Sequence, residues 1–370
     1  MSIGESIVLF FTILMCIPSI ASITKFDIWW IRGFDFPRIQ ISFLIICVMV
    51  ASYFVFSFSE PWHFIGIGAL FLSLIYQFTK IYPYTYISPK QVQRFKGSDP
   101  DASISILVSN VLTPNKRSDK LIALVNEREP DVLLTLESDK RWENELSEIE
   151  DEYKYNVKIP KDNLYGMHLY SRLELEDIKV RNLVQEDIPS IHGKVVLRNG
   201  KRIKIHCLHP MPPSPTESET STNRDAELLM LGRDIDVEKD SILVIGDLND
   251  VAWSRTTRLF QKLSGLMDPR IGRGFFNTFH AGYFLLRWPL DHVFHTKDFT
   301  LIEIAREKSI GSDHFPMYIN LNYEPTATVI NEDTDKPARE EEEWAEEKIQ
   351  NANPLMKRIE YNFPDNRLFN

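Results

Sequence analysis

Six apolar, strand-like runs of this chain carry, at one end, a residue able to ligate a cation, hold a phosphate or move a proton. Residues 104–108 lead to Asn110, 132–136 to Glu137, 202–208 to His209, and 242–245 to Asp247 and Asn249. The run 290–294 carries Asp291, and Asp313-His314 stands just before 317–321. Any one of these has an ordinary explanation as a turn, a cap or a packed histidine. Six together point to one rim of a layered β fold. Asn, Asp and Glu are hard oxygen donors suited to Mg²⁺ or Mn²⁺. A histidine can hold or protonate a phosphate, and an aspartate can orient that histidine and stabilise its cation. No Gly-rich Walker loop, His/Cys zinc set or nucleophile elbow is present.

The stretch 241–254, SILVIGDLNDVAWS, is central. Its four consecutive aliphatic residues suit a strand buried on both faces. Gly246 then breaks the run and Asp247, Asn249 and Asp250 follow, of which Asp250 reads as a cap for the next turn. Around it, the spacing predicts helices over 118–128, 224–236 and 257–264, and a hairpin at Asn199-Gly200 whose second arm delivers His209. A further strand over 167–170 ends in Ser171-Arg172.

In order along the chain, SNV at Asn110, TLES at Glu137, LYSR at Arg172, HCLHP at His209, GDLND at Asp247, PLDHVF at Asp291 and GSDHFP at His314 resemble the endonuclease/exonuclease/phosphatase superfamily. The resemblance implies an α/β, DNase I-like fold, a four-layer α-β-β-α sandwich over 103–324. It also implies Mg²⁺ (or Mn²⁺) as cofactor, with Glu137 the principal ligand and Asn110 beside it. Asp247 would align or deprotonate the attacking water, and Asn249 would steady the phosphoryl oxygens. His314 would contact the scissile phosphate, oriented by Asp291 or supported by Asp313, which is counted with the metal side. His209 resembles a second phosphate-side histidine. Arg172 would bind substrate or buttress the rim. The roles of His206 and His292 stay open.

The elements ahead of this domain are apolar. Residues 6–24, 39–59 and 61–79 contain no Asp, Glu, Lys or Arg, and each is long enough for a membrane-spanning helix of roughly 17–25 residues. Residues 1–80 therefore read as a three-span membrane anchor, similar to the membrane-anchored bacterial branch of the superfamily, and 81–102 as a polar linker. Lys25, Arg32, Arg38, Lys80, Lys90, Arg94 and Lys96 flank the spans on one side, which by the positive-inside rule is the cytoplasmic one. From 325 onward the chain is an acidic tail, expected to be partly disordered, with a helix near 340–349. Between 331 and 350, nine acidic residues face three basic ones, so this segment carries −6 of the net −10 and the rest is nearly balanced. A strongly basic nucleic-acid footprint is excluded. The three cysteines form no disulfide or metal spacing.

The function expected is hydrolysis of a phosphodiester, phosphomonoester or pyrophosphate by activated water at a membrane. A nucleic-acid substrate would draw on Arg270, Arg273, Phe275, Phe276 and Phe279; a lipid phosphate would draw on the anchor. The alternatives are a lipid-linked pyrophosphate phosphatase with an extracytoplasmic domain, and a non-catalytic membrane scaffold.

Overall fold

Alternating aliphatic positions along the strands build two mixed sheets stacked face to face. The computed structural model describes residues 1–97, 99–331 and 334–352. Four helices precede the sheets: α1 (Ile3–Ile23), α2 (Trp29–Arg32), α3 (Arg38–Val55) and α4 (Pro61–Ile81). Between and after the strands lie α5 (Ser118–Arg128), α6 (Lys140–Glu145), α7 (Thr222–Asp234), α8 (Arg255–Ser264), α9 (Ala327–Ile330) and α10 (Arg339–Asn351). The strands are β1 (Ser103–Asn110), β2 (Val132–Leu136), β3 (Tyr155–Ile159), β4 (Met167–Ser171), β5 (Glu174–Arg181), β6 (Ser190–Val196), β7 (Arg202–Leu208), β8 (Ile242–Asp247), β9 (Asp291–His295), β10 (Phe299–Arg306) and β11 (Met317–Tyr323).

One sheet runs β10-β11-β1-β2-β4-β3 and the other β5-β6-β7-β8-β9. Between them lies the largest apolar core, with Ile106, Leu134, Met317 and Ile319 meeting Ile205, Cys207, Ile245 and Val293. Leu121, Val125, Trp142 and Leu146 cover the outer face of the first sheet. Leu228, Leu231 and Phe260, from α7 and α8, cover that of the second. This is the helix-sheet-sheet-helix layering of a DNase I-like fold.

Helices α1, α3 and α4 are long and apolar enough to cross a membrane by length and composition. They pack on one another through Ile41, Ile45 and Leu70. Pro18 sits inside α1 without ending it. Arg38 and Arg32 are both buried and both paired with Asp35, the latter at 3.3 Å.

The connector after α4 is not a loose linker. The Tyr84 hydroxyl donates to the Ala252 carbonyl at 2.7 Å, Asp268 N–H donates to Gln91 at 3.0 Å, and Gln93 N–H donates to Asn331 at 2.7 Å. Phe95 and Leu301 add backbone bonds to the β10 edge. The loop between α1 and α3 docks as well: Trp253 Nε1 donates to the Asp35 carbonyl at 2.7 Å, and Arg32 donates to Thr256 at 3.2 Å.

Residues 339–351 of the acidic tail form a helix, as expected near 340–349, and it docks on the domain. α10 buries Trp344 and Ala345 against Leu229 and Leu259. α7 is thus covered on both sides and is buried from Arg224 to Gly232. One consequence concerns Glu227, whose Oε1 has no hydrogen-bond partner among the described residues and whose carboxyl burial pushes up to about 8. The folded state then holds a proton that the unfolded chain releases near its ordinary value of 4.5. Its contribution to stability is fully present below that value and is lost as pH rises through about 8. Glu227→Gln is expected to raise the thermal midpoint of the detergent-solubilised chain by roughly 5 °C at high pH and to leave it unchanged in acid. Equal shifts at both pH values would contradict this account.

Candidate active site

Strand direction decides which residues share a rim. β1 and β2 are parallel, with Asn110 opposite Leu136, so Asn110 and Glu137 leave the first sheet at the same edge. β7 and β8 are also parallel, with Leu208 opposite Gly246, so His209 and Asp247 leave the second sheet together. β9 is antiparallel to β8 and pairs Asp291 directly with Asp247. β11 is antiparallel to β1, so the residues just ahead of it, Asp313 and His314, arrive at this edge too. Gly246 makes the close pairing possible: with φ at 145°, a Cβ there would lie 1.9 Å from the Leu208 carbonyl oxygen.

One amide joins the sheets. Asn110 Nδ2 donates to Glu137 Oε1 at 2.8 Å and to Asp247 Oδ2 at 3.2 Å. Its own Oδ1 accepts from Leu112 N–H at 3.1 Å. Glu137 holds a left-handed backbone, φ 60°, with its carbonyl bonded by the Thr113 hydroxyl at 2.7 Å. Asn249 is likewise left-handed, φ 51°. Both follow strands directly at the rim, where sparsely populated conformations re-aim a side chain. Asn249 N–H donates to Asp247 Oδ1 at 2.9 Å, and its side-chain amide donates to the Pro210 carbonyl at 3.0 Å.

The second cluster is electrostatic. His314 Nδ1 bonds Asp291 Oδ2 at 2.8 Å, and its Nε2 lies 3.4 Å from Asp247 Oδ2. Burial alone would lower the His314 pKa, but Asp291 and Asp247 outweigh it and hold it up at about 10. Asp247, Asp291 and His314 offer ligand atoms within 4.8 Å of one another and form a candidate metal-binding triad. With His314 protonated, however, its proton already supplies positive charge between the two carboxylates. On the other side, burial pushes Glu137 up to about 7, opposed by the Asn110 bond and reinforced by the charges of Asp313 and Asp247. Glu137 Oε2 is buried with no partner among the described residues. A buried carboxylate with an orphan oxygen fits a divalent ion.

His209 sits at the edge of this group, its Nε2 4.0 Å from Asp247 and its ring 5.3 Å from that of Tyr165. Burial pushes it down to about 4, so it is neutral at pH 7. Its Nδ1 is buried without a partner.

Arg172 is not at this rim. β4 is antiparallel to β2, with Ser171 opposite Val132, so Arg172 leaves the sheet at the far edge from Glu137. There it pairs with Glu152 and lies over the Tyr153 ring. Arg270 is wholly buried, bonding Asp268 and His292, and Arg273 bonds the Pro269 and Val92 carbonyls. Neither is presented to a nucleic acid. Phe275 and Phe279 pack on Trp253 and Trp288.

Asp250 and His292 buttress the site from behind. Asp250 accepts from the Ser254 hydroxyl at 2.5 Å and lies 3.3 Å from Arg224, while its carbonyl meets His292 Nε2 at 2.9 Å. Arg224 also bonds the Asn249 carbonyl at 2.7 Å. Arg224 carried no sequence signal, because a basic residue in the first turns of a helix is ordinarily solvated.

No curated protein matches this chain. Among solved structures, it resembles that of D. rerio TDP2 complexed with single strand DNA product, at 16% identity and a TM-score of 0.50, covering 60% of this chain and 100% of that one. It also resembles the human Nocturnin catalytic domain with bound sulfate anion, at 16% identity and a TM-score of 0.49, covering 65% of this chain and 99% of that one. Since residues 107–314, more than half of its length, match the Endonuclease/Exonuclease/phosphatase family, the chain belongs to that family.

Proposed function

We infer that this chain is a membrane-anchored, divalent-cation-dependent hydrolase of a phosphate ester or anhydride. The observation that carries this reading is the Asn110 amide, which ties the Glu137 carboxylate of one sheet to the Asp247 carboxylate of the other. Glu137 and Asn110, with Asp313 near, would hold Mg²⁺. When bound, the ion neutralises charge on a phosphoryl or leaving-group oxygen. Asp247 lies between this cation side and the His314 imidazolium. It is held by the Asn249 N–H on Oδ1 and positioned to orient a water and accept its proton. His314, kept cationic by Asp291, donates toward a phosphoryl oxygen from Nε2. Asn249 and neutral His209 line the phosphate side and contribute polar contacts without adding net charge. The two sides of the site therefore carry different tasks, set by which groups are charged.

Full-length protein in detergent is expected to hydrolyse an activated phosphodiester or monoester with added Mg²⁺, and EDTA is expected to abolish turnover. Glu137→Gln keeps the shape and the Asn110 contact but removes the charge. Its half-saturating Mg²⁺ concentration is expected to rise by at least about tenfold. A metal titration that superimposes on the wild type would remove Glu137 from the cation side, and full turnover in EDTA would refute the metal requirement.

A further inference from the structure

Phe279 and Trp288 bracket a short segment at the rim of the site. These two residues pair as an antiparallel bridge, and Phe279 also bridges to His314 on its other side. Ala281 N–H donates to the Asp313 carbonyl at 2.6 Å. The result is a small hairpin whose inner arm is stitched to the rim of the site. Its tip reads Gly-Tyr-Phe-Leu-Leu, residues 282–286. All four large side chains of the tip are exposed, with Phe284 at 80% and Leu285 at 74%. A contiguous apolar tip facing outward is unusual on a soluble surface and marks a contact site.

The fold indicates what it contacts. Gln40, in the first turn of α3, donates from Nε2 to the Leu285 carbonyl at 2.7 Å. The tip therefore lies level with the domain-side end of α3, where the apolar surface of the candidate spans begins. Trp29, Trp30, Tyr82 and Tyr86 are exposed around the same ends, an arrangement that suits the headgroup level of a bilayer. Arg287 stacks over Phe284 at 5.3 Å and Phe315 at 4.9 Å, and Arg306 over Phe315 at 4.5 Å. Basic side chains beside an apolar tip are the pattern of an interfacial wedge.

We propose that the 279–288 hairpin inserts its tip into the bilayer interface and holds the active-site rim against the headgroup layer, so that the substrate phosphate is carried on a lipid. Phe284 is five positions beyond Phe279, so the tip lies at most about 18 Å of chain from the residue that pairs with His314. That reach exceeds the roughly 5–8 Å thickness of one headgroup layer. The inference rests on the anchor and phosphoesterase readings above, and the test separates the three.

The full chain is reconstituted in nanodiscs of phosphatidylcholine and phosphatidylglycerol with a photo-crosslinking phenylalanine at 284, at Phe54 in α3, or at Tyr155 on the far edge of the first sheet. Phospholipid adducts are expected at 284 and 54 and not at 155. Adducts at 54 but not at 284 would overturn the wedge, and none at either would overturn the anchor with it. In parallel, Phe284→Ser/Leu285→Ser is compared with wild type on p-nitrophenyl phosphate and on phosphatidic acid in the same nanodiscs. The lipid rate is expected to fall at least about tenfold while the soluble rate stays within about twofold. Equal loss on both, or no loss on either, would overturn the proposal. A wild type inactive on both substrates but labelled by lipid at 284 would remove phosphomonoester hydrolysis, the lipid-substrate part included, and leave only the membrane contact.

Discussion

Asp247→Asn is expected to cut phosphoester turnover by about a thousandfold with little change in KM. Asparagine fills the same volume and can still accept the Asn249 N–H through its carbonyl oxygen. What it cannot do is take a proton from water or oppose the His314 cation, whose Nε2 lies 3.4 Å away. Burial pushes the Asp247 pKa upward, with the charge of Asp291 adding to it and that of His314 opposing it. Such a carboxylate is a better proton acceptor than an exposed aspartate and a costlier group to keep folded. Asparagine also turns an NH2 toward the Asn110 amide, so a thermal melt beside wild type separates lost chemistry from lost structure. A folded variant retaining a tenth or more of wild-type turnover would show that Asp247 is not the residue acting on water.

His314→Gln is expected to have a comparable effect, a loss of roughly a hundred- to a thousandfold in turnover, with a different secondary signature. The imidazolium is the positive group facing both Asp247 and Asp291. Without it two buried carboxylates face each other across paired strands, and a lower thermal midpoint should accompany the lost activity. Asp291→Asn should lose less, because the histidine remains and loses only its partner. If Asp291→Asn were as inactive as His314→Gln while the latter kept its full stability, the histidine would not be the charge centre described above.

The ends of the strands were legible in the sequence because a fully buried run followed by Asn, Asp, Glu or His is an uncommon pattern. Which end faces the site was not. Strand direction alone separates Glu137 from Arg172: both follow apolar runs, but β2 runs parallel to β1 and β4 runs against it. For the same reason Asp291 and His314 matter at the start of their strands, β9 and β11, and Glu137 and Asp247 at the end of theirs. β3, β5 and β10 were not anticipated. β3 and β5 are half-exposed edge strands, and the alternation of β5 is interrupted by a register shift between Glu176 and Lys179. Partner strands, more than local composition, hold such segments extended. The docked tail was hidden by its charge, since one Trp344-Ala345 pair outweighs the solvated appearance of the surrounding glutamates. Arg270 and Arg273, legible as a basic pair on a loop, turned inward because buried carboxylate and carbonyl partners await them.

Asp27 has a consequence for kinetics. Its carbonyl accepts from Ser221 N–H at 2.9 Å, and its carboxylate accepts from Thr222 at 3.1 Å and from Lys348. One residue between α1 and α2 thereby clamps the N-terminal helices to the start of α7 and to α10. Together with the stitched connector after α4, this leaves the two-sheet domain without a swinging tether. With the spans in a bilayer and the substrate phosphate on a lipid, as proposed, encounters would come from lateral diffusion in the plane of the same membrane. Turnover should then follow the surface density of substrate, and a facing membrane would lie beyond its reach however concentrated its lipids.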